Sequence, residues 1–206
     1  VNESSGDLLA FLDCDDVWLS DKLEKQVKLY RNNINAGIIY SKANIINTNG
    51  EIIGLMPDKL KLPTGDIFSE LVKDNFIPFV SALVSREKYY KCGGFPLNFV
   101  NATDYNLFLK ISFNYKAIGL NDITCMYRQH DNNLSNKTKI IGAKENLEIV
   151  GSFLPNSHAK KGMTYQRVSL ICAYIKELKF FKAILLLIKN PDTIFIFIKR
   201  INKKLY

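Results

Sequence analysis

GDLLAFLDCDDVWLSDKLEKQ, residues 6–26, decides the fold: an apolar segment runs into a cluster of carboxylates and then straight into a helical pattern. Asp7 to Leu12 has the length of a buried strand, no helical period and a boundary at Gly6. Asp13, Asp15 and Asp16 follow within four residues. In an extended segment Asp13 and Asp15 project to one side while Asp16 points elsewhere. Like charges this close repel unless a cation sits between them. Hard oxygen donors at a strand end suit Mg2+ or Mn2+, which bind one or two carboxylates together with the phosphates of a substrate. A solvated strand end is the plainer reading of the same cluster.

Downstream, strand and helix patterns alternate, as in an α/β domain. Ser20 can cap a helix through Asn32 with Leu23, Val27 and Tyr30 on its apolar face. Ala36 to Lys42 reads as a strand. Asn44 to Thr48 and Glu51 to Leu55 flank Asn49-Gly50, a dipeptide suited to a type I′ hairpin turn. A helix over 66–74, a strand over 79–85 and a short helix from Arg86 stopped by Gly93-Gly94 follow. The 206 residues, 47% of them hydrophobic, suffice for a domain core with an appendage. Cys14, Cys92, Cys125 and Cys172 form no C-x-x-C pair, which excludes a C-x-x-C zinc site and a dense disulfide framework. A reducing compartment is expected.

Charge divides the chain. Residues 159–206 hold 11 Lys and Arg against 2 acidic residues, an excess of nine positive charges over a nearly balanced remainder, and so account for the net charge of +8. Two helical patterns occupy this tail, Tyr165 to Lys189 and Asp192 to Lys203, broken at Asn190-Pro191. In the second, Lys199, Arg200, Lys203 and Lys204 share one face and Ile194, Phe197, Ile198, Ile201 and Leu205 another. Lysines interrupt the apolar runs before they reach the ~20 residues that span a bilayer, so the expected mode is a helix lying on an anionic membrane surface. Packing of the apolar faces within the protein is the other reading. Nucleic acid is not an expected partner, because no nucleic-acid motif accompanies the basic residues.

Residues 6–24 resemble glycosyltransferase family 2, whose signature is Gly-Asp or Gly-Glu, an apolar strand, Leu-Asp-Ser-Asp-Asp, then Trp and a helix. The matching positions are Gly6, Asp7, Phe11, Leu12, Asp13, Cys14, Asp15, Asp16, Trp18, Asp21, Lys22 and Leu23. The resemblance implies a GT-A fold, a Rossmann-like α/β sandwich for nucleotide-sugar donors, lacking its first βαβ portion and followed by C-terminal helices. Val1 stands just before a central strand, so the sequence reads as the carboxyl-side part of a catalytic domain over 1–156 with a basic helical tail over 157–206.

Asp104 follows Gly93-Gly94-Phe95 and opens a helical pattern to Phe113, with Thr103 or Ala102 as its cap. A first-turn Asp is favoured by the helix dipole whatever its role. In the resembled family this segment leads to a Glu-Asp pair whose Asp is the catalytic base, which assigns that part to Asp104. Thr103 stands where the Glu is usual, and the Arg-Trp motif of processive members is absent. Tyr127-Arg128-Gln129-His130 is similar to the Tyr-Arg-x-His of related transferases, which makes His130 a metal or diphosphate contact; a surface loop histidine is the alternative. His158 receives no role.

The reaction so implied is inverting transfer of a sugar from a nucleotide-sugar to a saccharide or lipid-linked acceptor in surface polysaccharide synthesis. Asp13 and Asp15 would hold the donor through Mn2+ or Mg2+, at the cytoplasmic, inner face of the cell membrane. Asp13-Cys14-Asp15-Asp16-Val17 also resembles the first motif of haloacid dehalogenase-type phosphatases, but the second acidic pair they need is missing. The third reading is a fragment that only binds a partner or a membrane.

Overall fold

The computed structural model describes residues 1–205, with side chains as far as Asn202. The apolar run after Gly6 forms β1, Leu8–Ala10, and beyond the acidic turn lies the short strand β2, Val17–Trp18. Helix α1, Lys22–Asn32, starts after Asp21, and no side-chain cap forms there, so the Ser20 cap is not realised. The face that α1 buries also differs from the expected one: Leu23 is exposed while Lys22 and Gln26 are buried. Their polar ends are satisfied in place. Lys22 Nζ donates to Gln26 Oε1 at 2.7 Å and lies 4.5 Å from the Trp18 ring, and Gln26 Nε2 donates to the Ser81 carbonyl at 2.7 Å. Burial pulls Lys22 down to about 8.

Strands β3, Ile38–Ile46, and β4, Ile52–Met56, form the expected ribbon. Its turn is not type I′, because Gly50 (φ 86°) has positive φ and Asn49 does not. Asn47 does the shaping instead: its Oδ1 accepts the N–H groups of Asn49 and Glu51. The chain continues through α2, Phe68–Leu71, a 3-10 turn at Phe79–Ser81, β5, Leu83–Ser85, α3, Arg86–Lys91, α4, Thr103–Asn114, and β6, Ala117–Arg128. The helix expected over 66–74 is thus a single turn. The strand expected over 79–85 is half 3-10 turn, since Ser81 and Ala82 return their N–H groups to the carbonyls of Pro78 and Phe79.

The sheet runs β1-β5-β3-β6-β2, with β4 paired to β3. Among the described residues only β3 and β6 pair in parallel, from Ile38 opposite Ala117 to Ile46 opposite Arg128. Val17 and Trp18 of β2 pair antiparallel with Met126 and Cys125 of β6. That register sets the residues just before β2, Asp15 and Asp16, beside those just after the pairing on β6, Arg128 and His130. Ile38, Ile39, Tyr40, Leu83, Val84, Leu107, Phe108 and Ile111 are buried, and each apolar side chain of this size contributes about 1.5–3 kcal/mol.

The chain divides into two compact units. The first, residues 1–68, 75–97 and 104–133, holds the sheet and every residue of the site below. The second comprises 69–74, 98–103 and the helices from Leu134 onward: α5, Leu134–Lys137, α6, Lys139–Gly151, α7, Ser157–Lys176, α8, Phe180–Lys189, and α9, Thr193–Leu205. Within it the buried Glu145 accepts the N–H groups of Val100, Asn101 and Ala102 at 2.8–2.9 Å, and Gln166 Nε2 donates to the Val72 carbonyl at 2.9 Å.

The helix expected from Tyr165 to Lys189 is two helices. Leu178 takes a left-handed conformation, φ 55°, and donates its N–H to the Ile175 carbonyl, while Lys179 donates to that of Tyr174. This is a Schellman ending with leucine where glycine is usual. Lys203, Lys204 and Leu205, expected on the two faces of the last helix, have side chains outside those described.

Candidate active site

Two turns of chain build the site. After β1, Phe11 stacks on Phe79 with ring centres 5.0 Å apart and meets Phe95 edge-on at 5.3 Å. These contacts brace the strand end from which the acidic turn departs. The turn closes through the Asp16 N–H on the Asp13 carbonyl at 3.2 Å, leaving Asp13 exposed, Asp15 half-buried and Asp16 buried.

Arg128 ties this turn to the sheet. Its backbone N–H donates to Asp16 Oδ1 at 2.8 Å, its Nε to the Asp15 carbonyl at 2.8 Å, and its Nη1 to the Asn47 carbonyl at 3.0 Å. One guanidinium thereby holds the acidic turn and the ribbon tip together. Burial pushes Asp16 up to about 6; the Arg128 N–H opposes the rise, and the charges of Asp15 and Asp13 add to it. Asp13, exposed as a residue, is raised as well, first by partial desolvation of its carboxyl and then by Asp15. The cluster is electrostatically loaded in the sense that a cation would relieve.

His130 Nε2 lies 3.0 Å from Asp15 Oδ2, and its Nδ1 accepts the Asn132 N–H at 3.1 Å. With Nδ1 accepting, the neutral ring carries its proton on Nε2 and donates it to Asp15.

The second turn opens α4. Gly93 and Gly94 both have positive φ, 82° and 63°, and a Cβ on Gly94 would meet the Tyr89 ring at 2.9 Å. The reversal they permit lets Tyr89 OH accept the Phe95 N–H at 3.1 Å. Asp104 stands in the first turn of α4, and Asn75 Nδ2 donates to its Oδ2 at 3.3 Å. Burial pushes Asp104 up to about 6; the Tyr105 N–H and the Asn75 amide hold it back, and the charge of Asp13 adds to the rise. Asp104 therefore stands in the field of the acidic turn.

Of the residues singled out in the sequence, the fold brings His130 onto Asp15, with Asp13 beside them, and Asp104 within electrostatic reach of Asp13. Three partners were not foreseen: Arg128, Asp16 as a buried acceptor, and Asn75. Arg128 was within the Tyr-Arg-x-His stretch; Asn75 gives no signal in the sequence.

Among the described residues no three His, Cys, Asp or Glu side chains converge to hold a metal ion alone. A Mg2+ or Mn2+ ion needs only one or two carboxylates when substrate phosphates complete its shell. Asp13, whose proton affinity Asp15 raises, and Asp15 beside it are hard oxygen donors and fit that demand.

A family model described as glycosyltransferase like family 2 matches residues 1–159. The chain belongs to glycosyltransferase family 2. The family assignment sets aside the phosphatase reading. The chain is 32% identical, over 160 residues, to the Escherichia coli protein named UDP-Glc:alpha-D-GlcNAc-diphosphoundecaprenol beta-1,3-glucosyltransferase WfgD, covering 76% of this chain and 59% of that one. It is 30% identical over 139 residues to an uncharacterized glycosyltransferase of Methanocaldococcus jannaschii, covering 66% of this chain and 47% of the other. The solved mannosyltransferase PcManGT of Pyrobaculum calidifontis, in complex with GDP-Man and Mn2+, superposes with a TM-score of 0.55 at 15% identity over 100% of this chain and 57% of its own. That likeness places this family 2 chain in the GT-A fold. The chain spans about half to three fifths of the length of these relatives.

Proposed function

We propose that this chain is the carboxyl-side part of an inverting glycosyltransferase, residues 1–156 belonging to the catalytic domain and the tail from 157 serving as its membrane-facing appendage. The donor is a nucleotide-sugar and the acceptor a saccharide or lipid-linked saccharide for surface polysaccharide. The observation that carries this reading is the pairing of two differently built carboxylate sites in one field, the Asp13–Asp15 turn and Asp104.

Asp13 and Asp15 are assigned to the donor diphosphate with its divalent cation, and His130 holds Asp15 in orientation through the 3.0 Å contact. When bound, the cation supplies charge neutralisation for a departing nucleoside diphosphate. Asp104 is assigned as the base. An acceptor hydroxyl oxygen forms the new bond to the anomeric carbon as the bond from that carbon to the diphosphate oxygen breaks, and its proton passes to Asp104. A single displacement inverts the anomeric configuration. A carboxyl raised to about 6 is ionised near pH 7 yet a stronger proton acceptor than an ordinary Asp, which suits the step.

The similarity to WfgD supports a lipid-linked acceptor, since the WfgD name gives diphosphoundecaprenol as its acceptor's carrier; the cytoplasmic, inner face of the membrane is proposed with it. Among the described residues no helix is long and apolar enough to cross a membrane, so contact through the tail is the proposed mode. The test is transfer by the full-length protein from nucleotide-sugars with Mn2+ to a diphospholipid-linked saccharide. Asp13→Ala or Asp15→Ala should abolish Mn2+-dependent donor binding; full transfer by both variants overturns the assignment.

A further inference from the structure

Helices α8 and α9 each carry two apolar sides, and the second unit uses only one. On α8, Ala183 is buried and Leu186 packs with Ala143, Leu170 and Ala173. Phe180, Phe181, Ile184, Leu185 and Ile188 recur at helical spacing on the other side, and all are exposed, Phe181 at 79% and Ile188 at 71%. On α9, Thr193 is buried and Ile196 and Phe197 are half-buried, whereas Ile194, Phe195, Ile198 and Ile201 are exposed, Phe195 at 76%. Packing within the protein therefore does not account for the tail's apolar content. Single exposed hydrophobics are ordinary, but nine on two consecutive helices mark a surface made for contact.

The charge around these faces points to the occupant. Lys182 and Lys189 on α8 and Lys199 on α9 are exposed and border the apolar stripes at helical spacing. Glu177 and Asp192 are the two acidic residues of the tail, and Asp192 is engaged by Thr164 at 2.7 Å and Arg167 at 3.7 Å. An apolar face rimmed by lysines, on helices that do not span, fits the boundary between acyl chains and anionic headgroups.

We infer that α8 and α9 form a two-helix wedge that inserts Phe180, Phe181, Ile188, Phe195 and Ile198 into an anionic lipid bilayer while Lys182, Lys189 and Lys199 bind its headgroups. The wedge deepens the membrane-surface part of the proposed function. It also moves the contact from one amphipathic helix to two, and from Phe197 to Phe195.

The experiment is flotation of the 206-residue chain with vesicles of phosphatidylcholine alone or containing phosphatidylglycerol. Binding should be at least about tenfold tighter to the anionic vesicles and should weaken as salt is raised. Phe181→Asp with Phe195→Asp should remove binding to both vesicles; Lys182→Gln, Lys189→Gln and Lys199→Gln together should remove the preference for phosphatidylglycerol. These side chains are exposed, so circular dichroism and the melting midpoint should stay those of the parent. A folded chain that floats with neither vesicle overturns the inference. So does self-association that the Phe variants abolish without any flotation, which assigns the face to a second copy. Flotation needs no donor: flotation of the chain with no transfer by the full-length protein refutes the transferase reading alone, and transfer by the full-length protein with no flotation of the chain refutes the wedge alone.

Discussion

The side-chain amide of Asn75 donates to Asp104 Oδ2 at 3.3 Å, while its own Oδ1 is buried with no hydrogen-bond partner among the described residues. The amide is thus committed to the carboxylate at the expense of its other end. Leaving a buried acceptor unmade costs about 1–3 kcal/mol. Asn75→Ala should lower kcat of the full-length transferase about 10- to 100-fold with little change in the donor KM, because a misaligned base slows the chemical step. Asn75→Ser should recover part of the loss. Equal kcat in parent and Asn75→Ala removes the positioning role.

Asp104 itself sets a pH dependence. As the proposed base it must be ionised, and burial places its titration at about 6, so kcat should fall as pH drops through that value and not through the ordinary range near 3.8. Stability runs the other way. A carboxyl raised in the folded state makes folding less favourable once ionised; that cost is absent below the unfolded value, grows as pH rises, and is complete above about 6. Asp104→Asn should therefore lose about 10²- to 10⁴-fold in kcat and yet melt at a higher temperature at pH 7. A variant that melts lower would show that the carboxylate is not strained by burial.

Arg128 is the residue on which the acidic turn hangs. Arg128→Lys keeps the charge but not the planar fork that reaches the Asp15 and Asn47 carbonyls. It should cost about 1–3 kcal/mol in urea unfolding, the range for acceptors left unpaired. Donor affinity should fall with it, since Asp15 loses its backbone anchor. Unchanged unfolding and donor affinity would make the guanidinium contacts incidental.

The histidine that meets Asp15 can be told apart as donor or ligand. His130→Ala should weaken Mn2+-dependent binding of a nucleoside diphosphate about 10- to 100-fold, the usual effect of removing a group that orients a metal's carboxylate. His130→Gln keeps an N–H near the position of Nε2 and should retain most of the affinity in calorimetric titration. Loss in both variants would favour direct coordination.

The parts of this molecule that were readable in advance are those whose cause is local. The strand after Gly6, the ribbon around Asn49-Gly50, the stop at Gly93-Gly94 and the start of α4 each follow from nearby residues. Features imposed from elsewhere were not readable. Lys22 and Gln26 turn inward because Trp18 and the Ser81 carbonyl receive them, against the apolar pattern of α1. The break at Leu178 has no glycine to announce it, so the 3.6-residue period runs unbroken across it in the sequence. In the site, the motif residues were visible and their partners were not: Asn75 reaches Asp104 from 29 residues away through a single side-chain hydrogen bond that no pattern encodes.

The clasp between the acidic turn and the end of β6 also dictates when a newly made chain becomes competent. Asp15 and Asp16 meet their partners only 112 to 115 residues later. Emerging from the ribosome, the turn stays unfastened until His130 has followed, and closing so long a loop makes its assembly a late event. A polypeptide cut short before residue 128 would keep its first strand and helix in sequence and still lack the fastened acidic turn to which donor binding is assigned in the proposal.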